Sequence, residues 1–409
     1  MAAGGARSDV LIAGGGTAGL TAALAIAHGA PGLAVEVVDA KTAVGGVPDE
    51  RASAIAASAR RMLDRLGVWT RVQGEAQPIL SMEITDSRIG DAVRPIFLTF
   101  DGTLSEGEPF AHMVPNEALA KALRDAAGEA GIALTAPDSV ERFQVDGGSL
   151  SAALASGEER QTALLVAADG IRSRLRSLAG IKVVEWRYPQ TAIVANVRHE
   201  RPHHGVAVEH FLPGGPFAIL PLKGNRSSLV WTERSDDARK LLASDDFVFL
   251  VELERRFGHR LGQMELDGPR RAYPLGLILA RDFVRPRFAL LGDAAHGIHP
   301  IAGQGLNLGF RDAAALAETI VDAHRLGLDI GSLEVLRRYE RWRRYDTWQM
   351  GVTTDVLNRL FSNDFSPLRA LRGIGLGMVD RLPRLKNFFI GEAAGLGGEL
   401  PKLMKGEAL

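Results

Sequence analysis

The chain has 409 residues, 46% hydrophobic and 24% charged, a composition typical of a globular protein with room for two domains. Its 48 Lys and Arg residues balance 49 Asp and Glu residues, so a formal charge of -1 offers no basic excess and predicts no nucleic-acid partner. Because the chain has no cysteine, disulfides, thiolate zinc sites, iron–sulfur clusters and cysteine nucleophiles are excluded.

The predicted elements begin with a βαβ unit. A buried strand over residues 9–13 leads into an alanine-rich helix over 19–28, and a second strand, 35–38, ends at Asp39. The uncharged run 10–27 is just long enough for a membrane span, but its glycines favour a strand that turns into a helix. The first residues and the apolar strand after them do not have the pattern of a secretion signal, so we expect a cytoplasmic protein.

The middle of the chain changes its pattern twice. Helical spacing is found at 52–66 and 116–130, β-prone sequence at about 81–110, and an apolar strand at 164–168. Alternating apolar residues then predict antiparallel strands at 192–197, 206–212, 217–222 and 227–232, with one helix near 245–257. A strand over 288–291 and a long helix over 303–323 follow.

These elements predict an α/β fold, in which a Rossmann-like nucleotide-binding domain carries an inserted antiparallel-sheet domain and a helical C-terminal region. We expect the nucleotide-binding domain at 1–80, 111–185 and 276–350. The inserted substrate-binding domain is expected at 81–110 and 186–275, and the helical tail at 351–409.

A G-x-G-x-x-G turn lies between the first strand and its helix, the context that this motif requires. The first glycine permits the tight turn, the second lets a pyrophosphate approach, and the third allows close helix–strand packing. Asp39, 25 residues after Gly14, is placed to accept the ribose hydroxyls of an adenosine. The motif alone predicts FAD or NAD, with an unliganded glycine turn as the alternative. The contacts expected at this end are Gly14, Gly16, Thr17, Ala18, Gly19, Asp39 and Lys41.

A second glycine-rich turn, about 280 residues later, follows the strand that ends at Gly292-Asp293 and opens a helix at Gly303. Such a helix start suits the negative charge on a reduced flavin. Two separated turns indicate one long ligand reached at both ends, which favours FAD over NAD, and the absence of cysteine indicates non-covalent FAD. The contacts expected here are Gly292, Asp293, Pro300, Gly303, Gln304, Gly305, Leu306 and Asn307.

Together with Ala168-Asp169-Gly170, these segments resemble the class A flavoprotein aromatic monooxygenases of the p-hydroxybenzoate hydroxylase type. The resemblance assigns Asp293 to the ribityl chain and Asp39 to the adenosine ribose. It gives the turn of Asp169 and Gly170 a role shared between FAD and the nicotinamide nucleotide. Arg51 matches the arginine that reaches the FAD phosphates, and Asn116 lies where the family has a polar or basic cofactor contact.

Within that class the chain resembles the ubiquinone-biosynthesis hydroxylases over nearly its whole length. Five segments carry this resemblance: 49–55, 215–222, 230–232, 273–275 and 292–312. It implies hydroxylation of a (poly)prenylated phenol with O2 and transiently docked NADPH or NADH, through a flavin C4a-hydroperoxide, and complexes with other quinone-biosynthesis proteins. A hydroxylase of another aromatic compound and a non-catalytic flavoprotein that serves as an assembly partner are the alternatives.

The sequence signatures of two other flavoenzyme classes are absent from this chain. Disulfide reductases need redox cysteines, and the halogenase motif W-x-W-x-I-P does not occur around any of the five tryptophans. Histidines 199, 203, 204 and 210 lack the spacing of a tetrahedral ligand set, so no metal site is expected.

The flavin carries the chemistry in such an enzyme, and three side chains are the catalytic candidates. Tyr273 could orient or deprotonate a phenol, and His296 and His299 lie in the flavin loop, where a proton relay is conceivable. A packed tyrosine and backbone-bonded histidines are the alternatives. The strand 217–222 is expected to line a substrate pocket or to be ordinary sheet core.

The tail carries Arg381, Arg384 and Lys386 just before the apolar run 388–390. Basic groups beside aromatic residues suit an anionic membrane surface, from which a prenylated phenol would enter. We therefore expect either peripheral contact with the inner face of a membrane or a helical cap on the flavin domain.

Overall fold

The computed structural model describes residues 6–41, 49–86, 89, 96–101, 104, 107–299, 303–362, 391 and 394–409. Pro300 and the basic residues Arg381, Arg384 and Lys386 lie outside the described residues. Among the helices of the described ranges, none is both long enough and apolar enough to span a membrane.

The first sheet has a core of parallel strands, which are formed by continuous apolar runs of the sequence. Its parallel strands are β1 (Ala6–Ala13), β2 (Val35–Val38), β8 (Ala133–Thr135), β11 (Glu159–Ala167) and β19 (Phe288–Leu290), in the order β19-β11-β1-β2-β8. Antiparallel additions are β9 (Val140–Asp146), β10 (Ser149–Leu154) and β18 (Val284–Arg285). Leu11, Leu165 and Ala289 are fully buried, as expected for strands covered on both faces.

Helices pack against this sheet and against each other. They are α1 (Thr17–Gly29), α2 (Ala57–Arg65), α3 (Trp69–Val72), α4 (Asn116–Glu129), α5 (Arg174–Leu178), α8 (Gln304–Arg325), α9 (Leu333–Phe361) and α10 (Lys402–Lys405). Helices α1 and α8 pack against each other, and small residues such as Ala18 and Gly309 line their contact. A small sheet of β3 (Ala52–Ala56), β7 (Ala111–Pro115) and β4 (Gln77–Ile79) lies beside α2.

The second large sheet is mostly antiparallel. Its strands are β5 (Ser81–Asp86), β6 (Ile96–Asp101), β12 (Val183–His199), β13 (Val206–Leu212), β14 (Gly215–Leu222), β15 (Arg226–Arg234), β16 (Met264–Leu266), β17 (Arg271–Ala280) and β20 (His296–Gly297). The order is β20-β17-β12-β15-β14-β13-β5-β6, with β16 beside β12 and one parallel pair, β5 with β13.

The two faces of this sheet have different partners. Trp231, Phe217 and Phe249 belong to a core under α6 (Ser235–Ala243) and α7 (Asp246–Phe257). On the opposite face, Ala207 and Leu220 pack with residues of the small sheet and α2. The second face is therefore the one turned toward the small sheet and α2.

The structure confirms the predicted α/β fold but moves several boundaries. The helix expected over 52–66 begins only at Ala57, because residues 52–56 pair with β7 as a strand instead. Helix α6 was not predicted. Strands β12 and β17 run across the boundaries expected at 185/186 and 275/276, and α9 runs through residue 351, so the domain division stays a prediction.

Candidate cofactor site

The first glycine turn joins β1 to α1, and its three motif glycines differ in their surroundings. Gly14 has φ +124°, and a Cβ there would lie 2.2 Å from the carbonyl oxygen of Ala168. A Cβ on Gly19 would lie 2.0 Å from the carbonyl oxygen of Gly14. Within 4 Å of a Cβ on Gly16 there is no described atom. Packing therefore requires the first and third glycines, whereas the second leaves the backbone open to a ligand.

The start of α1 is suited to an anion. Its N-cap, Gly16, provides no side-chain hydrogen bond, and the first turn has no acidic residue. The first N–H groups of the helix consequently point outward with a partial positive charge. Asp39, just after β2, lies against the same turn, since a Cβ on Gly15 would be 2.8 Å from its Oδ2 atom. The backbone N–H of Lys41 donates to Asp39 Oδ1 at 3.3 Å.

Arg51, just before β3, is held by a hydrogen-bond network and contacts the large sheet through Tyr273. Its Nε and Nη2 atoms donate to both carboxylate oxygens of Asp49, each at 2.7 Å. Asn116 donates to Asp49 at 3.2 Å and accepts from Ser53 at 2.7 Å. The guanidinium carbon lies 5.1 Å from the ring centre of Tyr273. The amide of Asn116 thus fixes the segment that carries Arg51.

The second glycine turn packs directly on the first. Gly292 has φ +58°, and a Cβ there would lie 3.1 Å from Cβ of Ala18 in α1. A Cβ on Gly309 of α8 would also meet Ala18, at 3.4 Å. Small residues therefore bring the two turns, which lie far apart in sequence, to the same place.

Asp293 follows Gly292 in this turn and lies near Arg51; we call the region beside the 14–19 turn, Arg51 and Asp293 the recess. Solvent reaches the Asp293 side chain, yet the surrounding protein raises the pKa of its carboxyl, and the positive charges of His296 and Arg51 oppose that rise. Asp169 lies at the end of β11 and accepts the N–H of Leu175 at 3.1 Å, beside Gly170 with φ +83°.

A buried carboxylate anchors the loop that carries Asp293. Asp312 of α8 accepts the N–H of Gly292 at 3.1 Å, Nε2 of His296 at 2.5 Å and Nε of Arg343 at 2.8 Å. Burial opposes its ionisation, but His296 and Arg343 hold the pKa of Asp312 below its usual value. Nη1 of Arg176 also donates to the carbonyl of Ala294 at 2.7 Å.

Sequence reasoning missed these three anchors, Asp312, Arg343 and Arg176. They lie outside the recognisable turns, and only the folded chain brings them to the loop. No local pattern in the sequence identifies them.

The start of α8 is fastened to β3. Asn307 accepts the N–H of Ala56 at 3.0 Å and donates to the carbonyls of Ala54 at 2.9 Å and Gly303 at 3.2 Å. Its amide therefore positions the helix start, which begins at Gly303 in the left-handed conformation. Of the other predicted contacts, Gln304 is buried, Leu306 packs on the core, and Gly305 has no described atom within 4 Å of a Cβ.

The remaining histidine candidates are packed or hydrogen-bonded. His299 is buried against Tyr188 with ring centres 5.4 Å apart, and burial lowers its pKa to about 4, so the ring is neutral. His199 contacts the carbonyl of Arg201 and the hydroxyl of Ser227, at 2.7 and 3.0 Å. Nδ1 of His210 lies 2.5 Å from Oγ1 of Thr85.

Comparison with known proteins identifies the family. A model described as FAD binding domain matches residues 7–351. The chain belongs to this FAD-binding family. Ubiquinone hydroxylase UbiL of Rhodospirillum rubrum is 47% identical, with 98% of this chain and 94% of that protein covered. The 3-demethoxyubiquinol 3-hydroxylase of Escherichia coli is 34% identical, with 95% and 99% covered.

A solved structure shares the fold of this FAD-binding protein. The p-nitrophenol 4-monooxygenase of Pseudomonas putida aligns with a TM-score of 0.79 at 20% identity, over 96% of this chain and 99% of the other. The family and the two hydroxylases confirm the prediction of an FAD-dependent monooxygenase. The individual cofactor contacts stay predictions.

Gly16 and Gly19 provide a matched test of the first turn. Gly19→Ala should destabilise the apoprotein by about 1–3 kcal/mol, because its Cβ would overlap a backbone oxygen. Gly16→Ala should change apoprotein stability by less than about 0.5 kcal/mol but weaken FAD binding, because its Cβ enters the open space. Thermal unfolding of the apoproteins and FAD titration measure both effects. Equal FAD affinity of Gly16→Ala and wild type would contradict this reading of the turn.

Proposed function

We propose that this protein hydroxylates the aromatic ring of a (poly)prenylated phenol in ubiquinone biosynthesis, with FAD, O2 and NADPH or NADH. The observation that carries the proposal is the junction of two glycine turns at one recess, with an apolar sheet face on the same side of the molecule. The names of the two hydroxylase relatives, which match nearly the whole chain, support ubiquinone biosynthesis as its setting.

The residues of the recess fit FAD. The open backbone at Gly16 and the uncapped start of α1 would hold the pyrophosphate, with Asp39 on the adenosine ribose. Arg51 would reach the phosphates, and Asp293 would hold the ribityl chain. The start of α8 would stabilise negative charge on the flavin ring. When bound and reduced, the flavin supplies the oxygen chemistry.

The face of the large sheet that turns away from α6 and α7 offers a surface for an aromatic ring. On β14, Phe217 and Ile219 pack toward those helices, so Ala218 between them points the other way. Val230 is the cross-strand neighbour of Ala218, and Val194 is the neighbour of Val230. We call these three side chains the apolar strip. Because they have no polar group, they would exclude water from a bound ring.

Nucleotide oxidation tests the proposal. The FAD-loaded protein is mixed with NADPH or NADH and with phenol, ortho-prenylphenol or ortho-geranylphenol, and products are identified by mass spectrometry. We expect the prenylated phenols to accelerate nucleotide oxidation and to gain one oxygen atom, because the apolar strip favours an apolar substituent. Oxidation that no phenol accelerates would favour a non-catalytic assembly partner. Acceleration by unprenylated rings alone would favour a hydroxylase of another aromatic compound.

We also propose peripheral membrane contact through the tail, because a prenylated phenol resides in the bilayer. The support is the sequence itself, where Arg381, Arg384 and Lys386 precede Phe388 and Phe389. Each basic residue near an anionic surface contributes on the order of 1 kcal/mol. Association with other quinone-biosynthesis proteins stays a prediction from the resemblance.

A triple substitution tests the tail. Replacing Arg381, Arg384 and Lys386 with Gln should release the protein from vesicles that contain phosphatidylglycerol, while FAD stays bound and a short-chain phenol is still hydroxylated. The control replaces three exposed basic residues elsewhere with Gln, namely Lys182, Arg187 and Lys405. Sedimentation with vesicles measures binding. Equal release of both variants would contradict a specific role of the tail, and loss of FAD from the tail variant would favour a helical cap.

A further inference from the structure

Glu209 of β13 lies on the same face of the large sheet as the apolar strip. Its neighbours in sequence face the other way: Val208 packs in the core under α6 and α7, and His210 stacks on Phe217. Ala207, which shares the face of Glu209, packs with residues of the small sheet and α2. The side chain of Glu209 therefore points to the side of the small sheet and α2.

Glu209 is a nearly buried residue whose carboxylate has no partner among the described residues. The residue is 4% exposed, and the described residues give its carboxylate neither a hydrogen bond nor an ion pair. Its neighbours across the strands, Ile84 and Ala218, are apolar. An unpaired buried charge is costly, and burial alone raises the pKa of Glu209 to about 7.

Glu233, the other buried glutamate of this sheet region, has a different setting. It faces α7, and Nη2 of Arg256 in that helix lies 2.9 Å from its Oε1 atom. Trp231, on the same strand as Glu233, donates its indole N–H to that oxygen at 3.1 Å. The fold thus pairs the buried glutamate on the helix side with an arginine and leaves the one on the side of the small sheet unpaired.

The register places Glu209 at one end of the apolar strip. In the row across the sheet, Glu209 is followed by Ala218, Val230 and Val194, and then by Arg271 of β17. Neighbouring strands are about 4.8 Å apart, so the strip extends about 10 Å from Ala218 to Val194. That length accommodates a substituted phenol ring with its hydroxyl next to Glu209.

We propose that Glu209 is a catalytic residue that accepts a hydrogen bond from the phenolic hydroxyl of the substrate and takes its proton. The O–H bond breaks, the proton moves to a carboxylate oxygen of Glu209, and the electron pair stays on the phenolic oxygen. The resulting phenolate is more nucleophilic at its ortho and para carbons. This inference rests on the proposed function, because it requires a phenol as substrate.

The charged form of Glu209 sets the expected pH dependence. Only the carboxylate can take the proton, so turnover should rise with pH through about 7. The cross-strand neighbours of Glu209, Ile84 and Ala218, do not titrate, and burial is the one cause that raises its pKa, with no contribution from a charged group. Tyr273, Arg271 and Arg51 lie farther along the same face, toward β17.

Glu209→Gln tests the proposal, with Glu83→Gln as the matched control. Glu83 lies on β5 beside Ile84, and its carboxylate pairs with Arg260. With ortho-prenylphenol, Glu209→Gln should keep FAD bound, lower kcat at least about tenfold and lose the rise near pH 7. Glu83→Gln should keep the wild-type kcat and pH profile. The methyl ether of the same phenol has no proton to give, so it should not distinguish wild type from Glu209→Gln.

Thermal unfolding without substrate gives a second readout. The pKa of Glu209 in the folded state lies above the ordinary value of 4.5, so its contribution to stability is fully present below about pH 4.5 and is lost as pH rises from there through about 7. Glu209→Gln should therefore have a higher Tm than wild type at about pH 8.5 and nearly the same Tm at about pH 4.

Two outcomes overturn the inference in different ways. If wild type hydroxylates the phenol and Glu209→Gln does so with the same kcat and pH profile, the inference fails and the proposed function stands. If wild type hydroxylates none of the phenols, the proposed function fails and the inference falls with it.

Discussion

The site depends on a contact between three small residues, Ala18, Gly292 and Gly309. FAD is too long for one βαβ unit, so its two halves require turns from distant parts of the chain to meet. A larger side chain at any of these positions would push α8 away from α1 and separate the turns, since a Cβ on either glycine already reaches Cβ of Ala18. The fully buried Asp312 holds the meeting point in place through Gly292, His296 and Arg343.

The same loop joins the cofactor recess to the large sheet. His296 and Gly297 form β20, the edge strand that pairs with β17. Arg51 makes a second connection, because it is bonded to Asp49 and stacks over Tyr273 of β17. The turn that carries Asp293 and the face that carries the apolar strip are therefore parts of one hydrogen-bonded framework. Such a framework can hold a flavin and a ring in a fixed relation, which hydroxylation of one ring carbon requires.

The sequence predicted those features whose physical requirement is local. A separate role could be predicted for each of the glycines at 14, 16 and 19. The tight turn, the approach of the pyrophosphate and the helix–strand contact each leave no room for a side chain at one position. Residues 52–56 were wrongly predicted as helix, because alanine-rich spacing suits either state and pairing with β7 decides between them. Asp312 and Arg343 escaped prediction because their partners are 16 or more residues away. The sequence alone does not distinguish Glu209 from other strand residues, because only the register of the sheet shows on which face its side chain lies.

Labelled dioxygen tests the central claim most directly. The FAD-loaded protein is incubated with NADPH or NADH and ortho-prenylphenol under ¹⁸O₂, and the mass of the product is measured by mass spectrometry. A flavin monooxygenase inserts one atom of dioxygen, so we expect a hydroxylated phenol that carries a single ¹⁸O atom on the ring. Nucleotide oxidation that yields only labelled hydrogen peroxide with every prenylated phenol, or a hydroxyl oxygen that comes from water, would contradict it.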